Sequence, residues 1–287
     1  MNSFDPRNAP LLAWVDGVES DAIDIADRGL AYGDGLFETF RVVDERPLWW
    51  ERHLARLMRG AQALGIEMPN PTRLHIEALN CCDGAVDGVL KLILTRGSTG
   101  RGYTPMRAGP GESRPTRILS LHPSPARQDG VSAIRCTTRL AVQPQLAGLK
   151  HLNRLEQVLA ARECQQAGAD EGLLFDSDGR LVSAVAGNVF LLRDGEWLTP
   201  VIDRCGVAGI CREWLLDNIA TCRETLLTED DLSAAQAVFV CNSVRGILPV
   251  TTLDGRPLPQ TDSLLALCQR LRQELPPLPA TDCTGQA

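Results

Sequence analysis

Residues 147–163 read AGLKHLNRLEQVLAARE, and the organisation of the whole chain hinges on this stretch. A run of small residues leads into Lys150, and residues 151–166 carry apolar side chains at helical spacing behind a polar head. A lysine between a chain reversal and a helix is placed to project its amine into a cleft. Lysine is ordinarily a surface residue, because its ammonium is strongly hydrated. Composition changes that expectation: of 29 basic residues in the 287-residue chain, only Lys91 and Lys150 are lysines. Imine chemistry needs a primary amine that can shed a proton, which arginine cannot do, so only these two side chains qualify. Lys91 lies in GVLKLILT (88–95), a β-rich run in which it reads as an edge or surface position. Lys150 is therefore the favoured amine.

Downstream, strands are expected at 171–175, 181–183 and 188–192, with Asp178-Gly179 as a hairpin-type turn. Residues 206–218, GVAGICREWLLDN, open with glycines and continue as a helix. Backbone N–H groups near Ile210 and Cys211 then suit a phosphate, although a plain helix start accounts for the same pattern. The last strand is expected at 237–241, running into Asn242, Ser243 and a turn toward Pro249, and the Pro- and Thr-rich tail after Pro276 is expected to be mobile.

Upstream, helices are expected at 49–64 and from Pro71 to 81, and strands at 88–95, 117–121 and 131–140. The Pro-containing stretch HPSPARQ is the best linker, which divides the chain into an α/β domain over 1–121, a linker at 122–129 and a second domain over 130–287. On the first helix Arg56 reads either as part of a solvated stripe or as a phosphate-binding guanidinium. The loop RGSTGRGY (96–103) places Arg96 and Arg101 on flexible backbone, suited to gripping a carboxylate, and it lacks the GK[ST] of a Walker loop.

A net charge of −7 argues against nucleic-acid or anionic-membrane partners, and no run of about 18 apolar residues suggests a membrane span. With no basic, apolar leader at the start, a cytoplasmic location is expected. The ten cysteines are scattered and form no CxxC pair, so buried free thiols are expected rather than a disulfide scaffold or a metal site.

ADRGLAYGDGLFETFRV (26–42), HLARL (53–57), LILTRGSTGRGY (92–103), AGLKHLNRLEQVLAARE (147–163), AGNVFL (186–191), GVAGICRE (206–213) and CNSVRGILPV (241–250) occur in order along the chain. Together they resemble the aminodeoxychorismate lyases, a family within the fold type IV, branched-chain-aminotransferase-like group of pyridoxal-phosphate enzymes. The resemblance implies a two-domain α/β fold with pyridoxal 5'-phosphate between the domains, a homodimer, and elimination of pyruvate to give 4-aminobenzoate, a folate precursor. It also implies roles: Lys150 for the cofactor aldehyde and for proton removal; Arg56, Ile210, Cys211, Asn242 and Ser243 for the phosphate; Arg96, Arg101 and Tyr103 for the substrate; Thr39 for orienting the leaving group or the lysine.

One position departs from the group. Where its members carry a glutamate for the pyridine nitrogen, LVSAVAGNVF places Ser183. A hydroxyl there supports a neutral ring, which should impair transamination more than elimination. That disfavours the aminotransferase alternative, and it is the one feature that supports a second alternative, a non-catalytic paralogue.

Overall fold

The structure is a computed structural model that describes residues 10–98, 102–105 and 114–279. The chain divides into two compact units, one formed by Met1–Pro125 with Leu149–Asn153, the other by Ala126–Gly148 with Arg154–Ala287. Lys150 thus belongs to the first unit, although it follows the sequence boundary at 122–129. Most of the Pro- and Thr-rich tail lies outside the described residues.

The first unit contains, in chain order, β1 (Leu12–Val15), β2 (Val18–Glu19), α1 (Arg28–Tyr32), β3 (Gly35–Val43), β4 (Arg46–Pro47), α2 (Trp50–Leu64), α3 (Pro71–Cys81), β5 (Asp87–Thr95) and β6 (Arg117–His122). Its strands make one antiparallel sheet in the order β2-β1-β6-β5-β3-β4. Alternation along β3 divides its residues between two faces. Leu36, Phe40 and Val42 point to a core shared with Leu57 and Ala61 of α2, Leu74 and Ala78 of α3, and Leu90 and Leu92 of β5. The approach of α2 is close: a β-carbon on Gly60 would lie 2.8 Å from Leu36 Cδ1. Asn70 caps α3 by accepting from the Arg73 N–H at 3.0 Å, ahead of Pro71 at a position where a missing N–H costs nothing.

The second unit follows with β7 (Val131–Leu140), α4 (Leu155–Ala167), β8 (Glu171–Asp176), β9 (Leu181–Ala184), β10 (Asn188–Arg193), β11 (Glu196–Pro200), α5 (Ile210–Asn218), β12 (Cys222–Thr225), α6 (Glu229–Ser233), β13 (Ala237–Asn242), β14 (Gly246–Leu253), β15 (Arg256–Pro257) and α7 (Asp262–Leu271). A nine-stranded mixed sheet runs β12-β11-β10-β13-β14-β7-β8-β9, with β15 on β14. Its strands β8, β10 and β13 are almost wholly buried, as expected of strands covered on both faces.

Two expectations are corrected. β13 is not the last strand, because β14 returns antiparallel to it through Pro249. The proline is tolerated because pairing of β14 with β7 begins only at Val250, so no ladder donor is missing at 249. The helix expected from 151 starts at Leu155, since the residues before it pair with β3. Among the described residues all nine cysteines are free thiols, eight of them buried. Burial holds Cys81 up to about 11 and Cys82 up to about 12, so both are thiols at neutral pH. No helix among the described residues is long and apolar enough to cross a membrane.

Candidate active site

The segment around Lys150 is fixed by main-chain bonds to β3. Phe37 N–H donates to the Lys150 carbonyl at 2.9 Å and Leu152 N–H donates to the Gly35 carbonyl at 3.0 Å, with an antiparallel bridge between Leu36 and His151. His151 shares the core face with Leu36, so Lys150 falls on the other face of the sheet, beside Phe37. Its ammonium lies 4.2 Å from the centre of the Phe37 ring. Gly35 is required where this segment crosses, because a β-carbon there would meet the Leu94 carbonyl at 2.7 Å.

Thr39, two residues along β3, occupies the same face as Phe37. Directly opposite Thr39 is Lys91, and opposite Lys91 on the next strand is Ser120. Lys91 is therefore in β5, which has β3 on one side and β6 on the other. The edge-strand reading of Lys91 fails because strand order is set by pairings distant in sequence.

The core face of the same strand carries a charged cluster. Glu38, 1 % exposed, accepts from Arg56 Nε at 2.8 Å and from Arg56 Nη2 at 2.5 Å, and its Oε2 lies 2.6 Å from His53 Nδ1. Burial alone would raise this carboxyl, but the Arg56 charge and the bonds from Arg56 and His53 outweigh it and hold it at about 2. Burial lowers His53, with the Arg56 and Lys150 charges acting the same way and Glu38 opposing. His53 is accordingly neutral, its Nδ1–H donates to Glu38, and Nε2 makes no hydrogen bond. Arg56 is only 6 % exposed, which removes the solvated-stripe reading. The sequence carries one signal for Glu38 and His53, an acid at an inward position of β3.

Arg96 is held within the first unit. Its Nε and Nη2 donate to Asp34 at 2.8 and 3.1 Å, and Nη1 and Nη2 donate to the carbonyls of Gly65 and Leu64, each at 2.7 Å. Four of the five guanidinium N–H donors are engaged there. The same Asp34 receives Arg28 Nε, and Arg28 Nη1 and Nη2 donate to the carbonyls of Gly102 and Tyr103. Tyr103 is 87 % exposed and its ring centre lies 5.5 Å from that of Tyr32. Arg101 lies outside the described residues.

In the second unit, α5 begins at Ile210 after Gly209, whose backbone is extended and which as the N-cap residue brings no side-chain cap. Its leading N–H groups are arranged as at an anion-binding helix start. Gly209 is required: a β-carbon would lie 2.0 Å from Asn188 Oδ1, and Asn188 Nδ2 donates to the Val207 carbonyl at 2.9 Å. Asn242 Oδ1 accepts from the N–H groups of Val244 and Arg245 at 3.0 and 2.8 Å, shaping the β13–β14 turn that carries Ser243. Ser183 lies in β9, opposite Leu174, and is 6 % exposed. Glu171, at the start of β8, is engaged through Oε1 with the N–H groups of Gly172 and Val185, each at 3.0 Å, and burial raises it.

The first unit thus offers the Lys150 amine over an aromatic ring and a buried guanidinium, and the second unit offers a helix that opens after an extended glycine. The model of amino-transferase class IV matches residues 35–253. The chain belongs to the amino-transferase class IV family. Among solved structures it is similar to 4-amino-4-deoxychorismate lyase from Pseudomonas aeruginosa, at 45 % identity and a TM-score of 0.85, covering 92 % of this chain and 99 % of that one. Among curated relatives it is 30 % identical to aminodeoxychorismate lyase of Vibrio harveyi, over 84 % of this chain and 91 % of that protein. It is also 32 % identical to a putative branched-chain-amino-acid aminotransferase of Methanocaldococcus jannaschii, over 83 % of this chain and 85 % of that one. The class IV family thus frames the site with two chemistries, elimination and amino transfer, on one fold.

Proposed function

We propose that this class IV protein is an aminodeoxychorismate lyase that converts 4-amino-4-deoxychorismate into 4-aminobenzoate and pyruvate, a step of folate biosynthesis, with pyridoxal 5'-phosphate as cofactor. The observation that carries the reading is the placement of the Lys150 amine beside Phe37 and Thr39 on the outward sheet face, in a chain 45 % identical to a lyase over nearly its full length.

The donor set fits the cofactor. Lys150 is the amine for the aldehyde, Arg56 is assigned to the phosphate, and the N–H groups at Ile210–Cys211 with the Asn242–Ser243 turn are assigned to it as well. Pyridoxal 5'-phosphate supplies, when bound, a conjugated electron-withdrawing ring on the substrate nitrogen. The work of the chain is then proton handling and positioning. Lys150, with its amine released, removes the proton from the ring carbon bearing nitrogen. The enolpyruvyl C–O bond breaks as the ring becomes aromatic, and the departing enolate takes a proton to become pyruvate, so substrate and products balance without water. Thr39, adjacent to Phe37 on that face, orients the lysine or the leaving oxygen. Ser183 in place of an acid favours elimination over amino transfer, because expelling a leaving group needs less stabilisation of ring charge.

A homodimer belongs to the same reading, and each unit has apolar surface for it: Ile25 and Leu30 in the first, Leu155 and Val158 in the second, all more than half exposed. The test is the reconstituted protein with aminodeoxychorismate generated in place from chorismate, glutamine and a synthase, following 4-aminobenzoate by fluorescence. Product must rise above a no-enzyme control without any keto acid. Borohydride reduction and peptide mapping should give a pyridoxyl adduct on Lys150; an adduct on Lys91 instead would overturn the site.

A further inference from the structure

The two lysines of this chain sit over one phenyl ring. Lys150 Nζ lies 4.2 Å and Lys91 Nζ 5.7 Å from the centre of Phe37. Lys91 is half-buried in β5, flanked by Thr39 on one side and Ser120 on the other. Ser120 Oγ lies 2.9 Å from His122 Nε2. Thr39, Lys91, Ser120 and His122 all point to the face that holds the Lys150 amine.

Charge on this face is not balanced at Lys91. The acid of β3, β5 and β6 that points the same way is Asp87, and it is ion-paired with Arg41. Lys91 makes no ion pair among the described residues and stands over the Phe37 ring. A partly desolvated ammonium in a central strand is unfavourable both by burial and by strand preference, and its strand neighbours on either side, Val89, Leu90, Leu92 and Ile93, are apolar. A bound anion would remove that penalty.

We infer that Lys91, with Ser120 held by His122, binds a carboxylate of the substrate whose amino group is handled at Lys150. The Lys150 segment, β3 and β5 are successive strands, so the two lysine columns are separated by two strand spacings, ~9–10 Å. A ring bearing an amine and a carboxylate at opposite ends spans that interval, with Phe37 as its floor. With His122 Nε2–H donating to Ser120 Oγ, the serine O–H is left to donate to one carboxylate oxygen while Lys91 meets the other. The ligand class is thus a para-amino cyclic carboxylate. The inference rests on the proposed lyase reading for the identity of the substrate, and its test is separable from that reading.

The test uses the pyridoxal-phosphate-loaded enzyme and two ligands of equal shape, 4-aminobenzoate and 4-aminobenzamide, titrated by the change in cofactor absorbance. The parent should prefer the carboxylate. Lys91→Met should weaken 4-aminobenzoate about 10- to 100-fold, the range for a hydrogen-bonded charge pair, and leave the amide nearly unmoved. Lys91→Arg should restore most of the preference, and Ser120→Ala should lose part of it. Where the parent turns over aminodeoxychorismate, Lys91→Met should raise KM more than it lowers kcat. Equal weakening of both ligands, or no change in either, overturns the inference, as does a folded parent with no preference for the carboxylate. A parent that prefers the carboxylate but forms no 4-aminobenzoate from aminodeoxychorismate sinks the lyase reading alone. If Lys91→Met fails to fold, Lys91→Gln titrated with the same two ligands decides the matter in the same way.

Discussion

Successive residues of β3 serve opposite ends. Leu36, Glu38 and Phe40 face a closed interior in which every charge has a partner, whereas Phe37 and Thr39 face the side where two lysines share a ring. On the inner face the carboxylate of Glu38 is matched by Arg56 and His53; on the outer face the ammonium of Lys91 has no such match. One strand therefore turns a paired charged cluster to one side and the two lysines to the other, a division set by a period of two.

The largest effect is expected on the inner face, at Glu38. Glu38→Gln leaves the Arg56 guanidinium buried without its carboxylate, which should destabilise the first unit by about 3–5 kcal/mol, read from denaturant unfolding. The pH dependence carries the same signature. The folded-state value of Glu38 is depressed from 4.5 to about 2, so its stabilisation is present above the unfolded value and is lost as pH falls through that interval. The parent should lose melting temperature across this window more steeply than Glu38→Gln, and equal slopes would show that the cluster does not hold the unit together. Gly60→Ala is a smaller intrusion: its β-carbon meets Leu36 at 2.8 Å in a packed core, and the cost should be about 1–3 kcal/mol. Smallest in stability is Thr39→Val on the outer face, expected to shift unfolding by less than about 0.5 kcal/mol while lowering turnover. A Thr39→Val protein that is strongly destabilised would erase the distinction between the faces.

Elements with strong local patterns are legible in the sequence. Helices at 50–64 and 71–81 and the strand at 131–140 carry their own periodicity, the second helix with its Asn70 cap, and Lys150 stands out through scarcity of its residue type. What escaped was non-local. Lys91 reads as an edge residue until β3 and β6 are seen on either side of it. Arg96 reads as a flexible fork until Asp34, 62 residues earlier, is found holding it. Residues 151–154 look like the first turn of a helix because the sequence cannot show that β3 is waiting for a partner. The Pro249 strand was hidden for a different reason: proline is normally a strand breaker, and only the local absence of a second neighbour makes it harmless.

The return of residues 149–153 to the first unit also orders events during synthesis. When a ribosome has made the chain as far as residue 125, α2, α3 and six strands exist, yet the outer edge of β3 at Gly35 and Phe37 still lacks the main-chain partners that Lys150 and Leu152 provide. The nascent unit must keep that edge exposed until the first strand of the other unit, β7, has also emerged. A fragment ending at the linker would carry the same open edge permanently, with Leu36 behind it, and would be prone to pair with another copy of itself.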